Sequence, residues 1–473
     1  MRLIVIYCVI LISACSHTSS ISESDKTAAA PEQWQENWQR EALGHLSEAS
    51  LASSKTYWPL QYSNEQLADF TQQALGNNFS LQQTTLSVAI QEKRLNNAQA
   101  SLLPTLDLGF SSRRQQNTTQ LTSTNTLELS SNYELDLWGK LSAQEKAQSY
   151  ELLAAKANLQ QQTQNLVANL LTAYATAVEA SQLYDLFKRR SNNSQQGLRI
   201  IEDGYKQGLN TALDVYLARN ELNTDLAREA QQQTVKLASI RSLEQLLGRY
   251  PTGVLALSNS IPIISNDIYL GVPANMLMNK PNIQAAWLNL LAKDATLAFA
   301  HKQRFPSFTL AASLGSSTDK LKDLFSSDLV WTLLGSIVAP LYDAGTLANN
   351  EDIARLEVQQ TELQYWETVN SAFADVENGL SQERNLQQRV VNLSEAEENA
   401  IAAEALAFEQ YLKGLVTYTT VLEAQTRATE AQSTLIQVKR ELFTNRVNLH
   451  LALGSNFDPA LQPSINISER NND

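Results

Sequence analysis

The chain repeats itself once along its length. Tyr205-x-x-Gly208-Leu209-x-Thr211 recurs as Tyr411-x-x-Gly414-Leu415-x-Thr417, about 206 residues on. The register then holds: Val215 answers Val421, Ala218 answers Ala424, and Leu247-Gly248 answers Leu453-Gly454. Upstream, Leu103-Pro104-Thr105-Leu106 matches Phe305-Pro306-Ser307-Phe308, and Leu135 with Gly139 matches Leu341 with Gly345. A period this long marks a duplicated domain-sized unit rather than a solenoid repeat. Each repeat reads strand, strand, long helix, turn, long helix, and any fold for this chain must hold that unit twice.

Proline spacing shows what the long segments must be. No proline lies between Pro104 and Pro251, or between Pro340 and Pro459, and an interior proline costs a helix about 3 kcal/mol. Within these windows 141–201 and 347–408 read as helices, which at ~1.5 Å per residue reach on the order of 90 Å, far beyond a globular core. A shorter helix is expected over 67–102, ended by Pro104. The seam of the first long helix is Leu152, Ala155, Leu159, Leu166, Leu170, Ala173 and Ala177. Its spacing is heptad-like, but Gln162 falls where a core residue belongs and alanine is frequent. Narrow apolar stripes with small residues suit helices set side by side in a cylinder whose inner wall meets water; a solvated coiled-coil rod is the competing reading.

Four segments carry the two-residue period of strands. In 103–112, Leu106, Leu108 and Phe110 face one way and Thr105, Asp107 and Ser111 the other. In 126–138, Leu127, Leu129, Tyr133, Leu135 and Leu137 oppose Glu128, Ser130, Asn132, Glu134 and Asp136. Phe308, Leu310, Ala312 and Leu314 oppose Ser307, Thr309 and Ser313, while 329–341 is mostly apolar on both faces. Polar loops are expected over 113–125 and 317–328. Strands of roughly 10 residues suffice to cross hydrocarbon when tilted, although a water-soluble sandwich shows the same alternation. Four strands cannot close a barrel, and open edges in lipid leave backbone groups unsatisfied at several kcal/mol each, so the edges require other chains. Two chains give eight strands and a nearly filled interior; three give twelve and a lumen, which a conduit favours.

Charge and cysteine placement narrow the class. A net charge of -13 argues against nucleic acid, which needs clustered Lys and Arg. Cys8 and Cys15 both lie at the extreme N-terminus, so the body has no disulfide and no cysteine metal site. Arg2, the short apolar run to Ile12 and Ile12-Ser13-Ala14-Cys15 read as a signal peptide over 1–14. The last four residues resemble a bacterial lipobox, which implies cleavage before Cys15 and acylation of its thiol; a plain signal peptide is the alternative. The segment 15–60 then reads as a tether, 61–265 and 266–456 as the two repeats, and 457–473 as a tail.

Several motifs, in order, resemble the TolC family of outer-membrane efflux proteins. They are Ala100-Ser101-Leu102-Leu103-Pro104, Tyr133-Glu134-Leu135-Asp136-Leu137-Trp138-Gly139, Lys280-Pro281-Asn282-Ile283, Pro340-Leu341-Tyr342-Asp343-Ala344-Gly345 and the paired Tyr-x-x-Gly-Leu turns. The similarity is closest to the lipoprotein branch serving tripartite pumps. It implies an all-α protein with a membrane β-barrel portion: a homotrimer whose twelve-stranded barrel sits in outer-membrane lipid and continues as a twelve-helix α-barrel through the periplasm. A periplasmic membrane-fusion adaptor and an inner-membrane pump of RND type are the implied partners. Two positions depart from the family. Lys280-Pro281-Asn282 stands where Arg-Pro-Asp is common, and Thr420 stands at the nearer of two positions often held by carboxylates, leaving Glu423 alone.

The resemblance places Tyr205, Gly208, Leu209, Tyr411, Gly414, Leu415 and Val416 at the periplasmic turns, where the glycines suit a tight reversal and Leu209, Leu415 and Val416 are candidate adaptor contacts. Asp214, Thr420 and Glu423 follow as the candidate gate, with Glu423 forming a carboxylate ring and Asp214 tethering adjacent helices. Asp107, Glu128, Glu134 and Asp136 are expected to line an acidic barrel lumen. No enzyme motif is present: there is no His-Glu-x-x-His, no Gly-x-x-x-x-Gly-Lys and no Gly-x-Ser-x-Gly, and the histidines His17, His45, His301 and His450 are widely separated. No cofactor is expected. A type I protein-secretion duct and a periplasmic coiled-coil scaffold lipoprotein are the alternatives.

Overall fold

The proline-free windows are continuous helix in the computed structural model, which describes residues 65–116, 121–262 and 273–454 with positions 31 and 118. The signal segment, Cys15, the tether apart from Pro31, and the tail lie outside the described residues. Helices α1 (Glu65–Asn77) and α2 (Phe79–Ala100) lead into β1 (Thr105–Gln116) and β2 (Leu121–Leu135), followed by α3 (Lys140–Lys206) and α4 (Ala212–Leu246). The second repeat runs α5 (Pro273–Asn279), α6 (Pro281–Lys302), β3 (Ser307–Thr318), β4 (Val330–Val338), α7 (Thr346–Leu412) and α8 (Tyr418–Leu453). The duplication is metrical: α2 and α6 each have 22 residues, and α3 and α7 each have 67. At ~1.5 Å per residue the latter have a contour length of about 100 Å.

The helix expected over 67–102 is two helices meeting at Asn78. The Asn78 carboxamide explains the break: its Oδ1 accepts from the Leu81 N–H (3.1 Å), capping α2, while its Nδ2 donates to the Leu246 carbonyl (3.1 Å). Gln162, which stood at a core position by heptad counting, is exposed. Thr163 is buried instead, its hydroxyl returned to the Leu159 carbonyl at 2.8 Å. Leu152, Leu159, Leu166, Leu170 and Ala177 of the expected seam are buried.

The strands form one antiparallel sheet in the order β1-β2-β3-β4. Its register puts Leu108 opposite Leu129, Leu129 opposite Leu314, and Leu314 opposite Trp331. Directly opposed residues share a face. One face therefore carries Leu106, Leu108, Phe110, Leu127, Leu129, Leu310, Leu314, Trp331, Leu333 and Ile337, and the other carries Asp107, Ser111, Glu128, Ser130, Thr309, Ser313, Thr332 and Ser336. The register settles the fourth strand: Trp331, Leu333 and Ile337 join the apolar face, and Leu334 falls on the polar one. The loop expected over 113–125 is mostly strand. Arg113-Arg114-Gln115-Gln116 pairs with Leu121-Thr122-Ser123-Thr124. Alternation could not reveal it because, apart from Leu121 at its end, both faces of that ladder are polar; backbone hydrogen bonds carry it, with the Thr122 hydroxyl donating to the Gln115 carbonyl (3.3 Å).

The chain packs as two compact units, each drawing on both repeats. The first holds Leu86–Asn158 and Asn282–Val369, with the whole sheet. Here Trp138 Nε1 donates to the Pro306 carbonyl (2.7 Å) and its ring meets Phe305 and Phe308 at 5.5 and 6.3 Å, pinning the start of β3 beside the end of β2. The duplication persists in side-chain pairs: Gln91 donates to Glu151 and Lys293 to Glu357, each at 2.8 Å. The second unit includes Leu159–Pro281 and the remainder of α7 and α8. Glu383 is buried there but fully engaged by Arg446, Asn445 and Gln387. Lys280, at the position where the family commonly has arginine, is buried; burial lowers its pKa against the opposing field of Asp375.

Candidate functional site

Two helix reversals meet in the second unit. After α3, Gly208 takes φ +76 and after α7, Gly414 takes +73, a left-handed backbone that glycine adopts without strain. Each reversal closes the same way. The glycine N–H donates three residues back, to Tyr205 (3.0 Å) or Tyr411 (2.9 Å), and the following leucine N–H donates five back, to Gly204 (2.8 Å) or Gln410 (3.0 Å). This is the Schellman arrangement, which satisfies carbonyls left open at a helix end.

The repeats diverge just beyond. Thr211 caps α4 with a full capping box: its hydroxyl accepts from the Asp214 N–H at 3.2 Å, and Asp214 Oδ2 accepts from the Thr211 N–H at 2.9 Å. Within the chain Asp214 is engaged at its own helix start by this capping box. Thr417 makes no such side-chain cap because Thr420 occupies the position of Asp214; the two hydroxyls lie 3.3 Å apart.

The turns are joined by Tyr411, whose hydroxyl donates to Asn210 Oδ1 (3.2 Å) while Asn210 Nδ2 donates to the Ile201 carbonyl (3.0 Å). Gly204 makes room for that side chain: a Cβ there would lie 2.3 Å from Asn210 Nδ2. Beneath them Ile201, Val215, Ala218, Tyr418 and Val421 form a buried cluster. Burial, assisted by Glu221, pushes the Tyr418 phenol up to about 12; burial likewise raises Tyr411. Leu209 and Leu415 are 76% and 70% exposed, whereas Val416 is half-buried. Leu213 and Tyr216, which sequence reading passed over, are also exposed and extend the apolar rim along α4. Their three-residue spacing was the available signal. Glu423 is exposed on the second turn of α8.

Further along the same helices is a charge cluster the sequence did not reveal. Arg190 of α3 is buried and reaches Asp225 (3.0 Å) and Glu221 (2.7 Å) of α4, with Glu404 of α7 at 3.8 Å. Ser194 donates to the same Asp225 oxygen, and the other, Oδ1, has no hydrogen-bond partner. Burial raises the Glu404 pKa, opposed by Arg190.

On the polar face of the sheet the structure brings Asp107, Glu128 and Glu134 together, with Lys140 paired to Glu134. Asp136 does not belong to that set. It lies past the end of β2, and its carboxylate accepts from the N–H groups of Leu141 (2.9 Å) and Ser142 (2.8 Å) at the start of α3. Burial works against the charged form, but these bonds and the Ser142 hydroxyl hold its pKa below the usual value. Asp343 does the same for α7 through Leu347 and Gly345. The extended β1 also puts Arg113 on the polar face, which therefore carries a base among its acids. Among the described residues no helix is long and apolar enough to cross a membrane, and no group of three or more His, Cys, Asp or Glu is placed to hold a metal ion.

An antiparallel sheet with one apolar face, together with paired helices of this length, fits an outer-membrane channel protein. The model of the outer membrane efflux protein family matches residues 70–249 and 272–455, and the chain belongs to that family. It is 27% identical over 439 residues to the toluene efflux pump outer membrane protein TtgF of Pseudomonas putida, covering 90% of this chain and 92% of that one. It is 26% identical over 424 residues to the probable outer membrane lipoprotein SilC of Salmonella typhimurium, covering 87% and 90%. The outer-membrane channel OprN shares the fold, with a TM-score of 0.79 at 23% identity over 95% of this chain and 98% of that one.

Proposed function

We propose that three chains close their sheets into a twelve-stranded barrel and their helices into a twelve-helix tunnel, forming the outer-membrane exit duct of a tripartite efflux system. One observation carries this: among the described residues β1 and β4 each leave an edge unpaired, on a sheet whose apolar face is exposed. In lipid those edges must pair, and cyclic contacts between identical chains pair them with a single interface type. Cys15 carries the acyl anchor. The periplasmic adaptor docks at the turns through Leu209, Leu415, Val416 and Tyr205, with an inner-membrane RND-type pump supplying energy. Glu423, three-fold repeated, forms the carboxylate ring of the gate beside Thr420 and the capped Asp214, and Asp107, Glu128 and Glu134 face the barrel lumen. The cargo is small apolar compounds, by analogy with relatives named for toluene efflux.

Planar-bilayer recording tests conduction and gate together. The purified protein conducts in discrete, cation-selective steps, and Glu423→Ala loses both selectivity and block by multivalent cations. Absence of discrete conductance overturns the duct; unchanged selectivity in the variant overturns the ring.

A further inference from the structure

The loop between β3 and β4 is folded onto the apolar face of the sheet, and we infer that with Arg114 it binds the phosphorylated headgroup of an outer-leaflet glycolipid. This rests on the barrel reading above, in which the hairpin ends remote from the helices reach the outer surface. The apolar band of that face ends in a polar ladder on the side away from the helices. Ser112 donates to Asn125 Oδ1 (2.8 Å), and Asn125 Nδ2 donates to the carbonyls of Thr318 and Asp319, each at 3.3 Å. Ser112, Asn125, Ser316 and Thr318 all share the face of Leu108, Leu127 and Leu314. Ser316 then donates to the Leu324 carbonyl (2.7 Å), and Thr318 to that of Lys320 (2.9 Å). These bonds draw the backbone of 319–324 over the lipid-facing side.

The consequence is an amphipathic ledge just above the apolar band. Leu324 is buried against the sheet, while Phe325 is 86% exposed and Leu321 is exposed beside Lys320 and Lys322. Arg114 emerges from the same face two strands away, roughly 10 Å at ordinary strand spacing. A disaccharide headgroup bearing a phosphate at each end spans such a gap. Exposed aromatic and aliphatic side chains flanked by basic ones are what the interface between acyl chains and anionic headgroups selects. Of the acids in this loop, Asp323 is half-buried within the loop turn, while Asp319 and Asp328 are exposed at its two ends.

The test is native mass spectrometry of the full-length oligomer in mild detergent, supplied with bisphosphorylated lipid A, its dephosphorylated form, or phosphatidylglycerol. Each basic side chain beside an anionic surface is worth roughly fivefold, so R114Q/K320Q/K322Q is expected to retain at least about tenfold less bisphosphorylated lipid. R114K/K320R/K322R should retain it. Equal retention by the glutamine variant, or equal binding of the dephosphorylated lipid or phosphatidylglycerol, overturns the inference while a heat-modifiable oligomer leaves the barrel standing. A wild-type chain that forms no such oligomer overturns both.

Discussion

Replacing Arg190 by methionine removes a charge while keeping most of the aliphatic volume, and it strands Asp225. That carboxylate is 0% exposed. Its Oδ1 already lacks a partner and its Oδ2 would keep only the Ser194 hydroxyl. Removing one member of a buried ion pair costs about 3 to 5 kcal/mol, because the remaining charge can neither reach water nor be neutralised cheaply. Glu221 and Glu404 are partly exposed and recover hydration, so the lower end applies. About 3 kcal/mol corresponds to a roughly 150-fold rise in the local opening constant. Hydrogen exchange read on peptides covering 186–196 and 221–229 measures that opening without requiring the whole protein to unfold reversibly. R190M should speed exchange there by on the order of 100-fold, and R190M/D225N should recover most of it because no buried charge is left. Exchange within about twofold of wild type in R190M, or a double variant as fast as the single one, refutes the reasoning.

Two further effects follow from single positions. Gly204→Ala should destabilise the first turn by about 1 to 3 kcal/mol through collision with the Asn210 carboxamide, seen as faster exchange at 201–211; unchanged exchange contradicts the assigned packing. His450 is buried and its pKa is lowered to about 4, by burial first and then by Arg446. The unfolded chain takes up this proton below about pH 6.5 while the folded chain resists. Stability is therefore full above that pH, falls by up to about 3 kcal/mol as pH drops towards 4, and levels off below it. Thermal denaturation of His450→Phe against wild type between pH 7 and 4 checks this: the variant's profile should be flatter, and parallel profiles contradict it.

Features written locally in the sequence were legible, and features made by distant residues were not. The proline-free windows, the glycine turns and the alternation of β1 to β3 each depend on neighbours along the chain, and each was found. The Asn78 break was nearly readable from Gly76-Asn77-Asn78, but the hydrogen bond that secures it comes from Leu246. Arg113 to Gln116 lengthen β1 with no apolar residue to announce them. Asp136 alternates correctly with Glu134 yet leaves the strand to cap a helix, since a carboxylate at a helix start gains two N–H donors. The capping role of Asp214 is written locally, since Thr211 three residues earlier supplies the other half of the capping box. Arg190 sits 31 or more residues from each carboxylate it meets, so nothing near it in sequence distinguishes it from a solvated arginine.

If identical chains close the incomplete sheet, the number of chains in the particle is fixed by strand count. Light scattering of the purified, detergent-solubilised protein, with the bound detergent subtracted, measures the number of chains directly. Three are expected, held in a compact oligomer whose electrophoretic mobility changes on heating. A monomer in lipid-like detergent, or an oligomer that shows no heat-modifiable form, contradicts it.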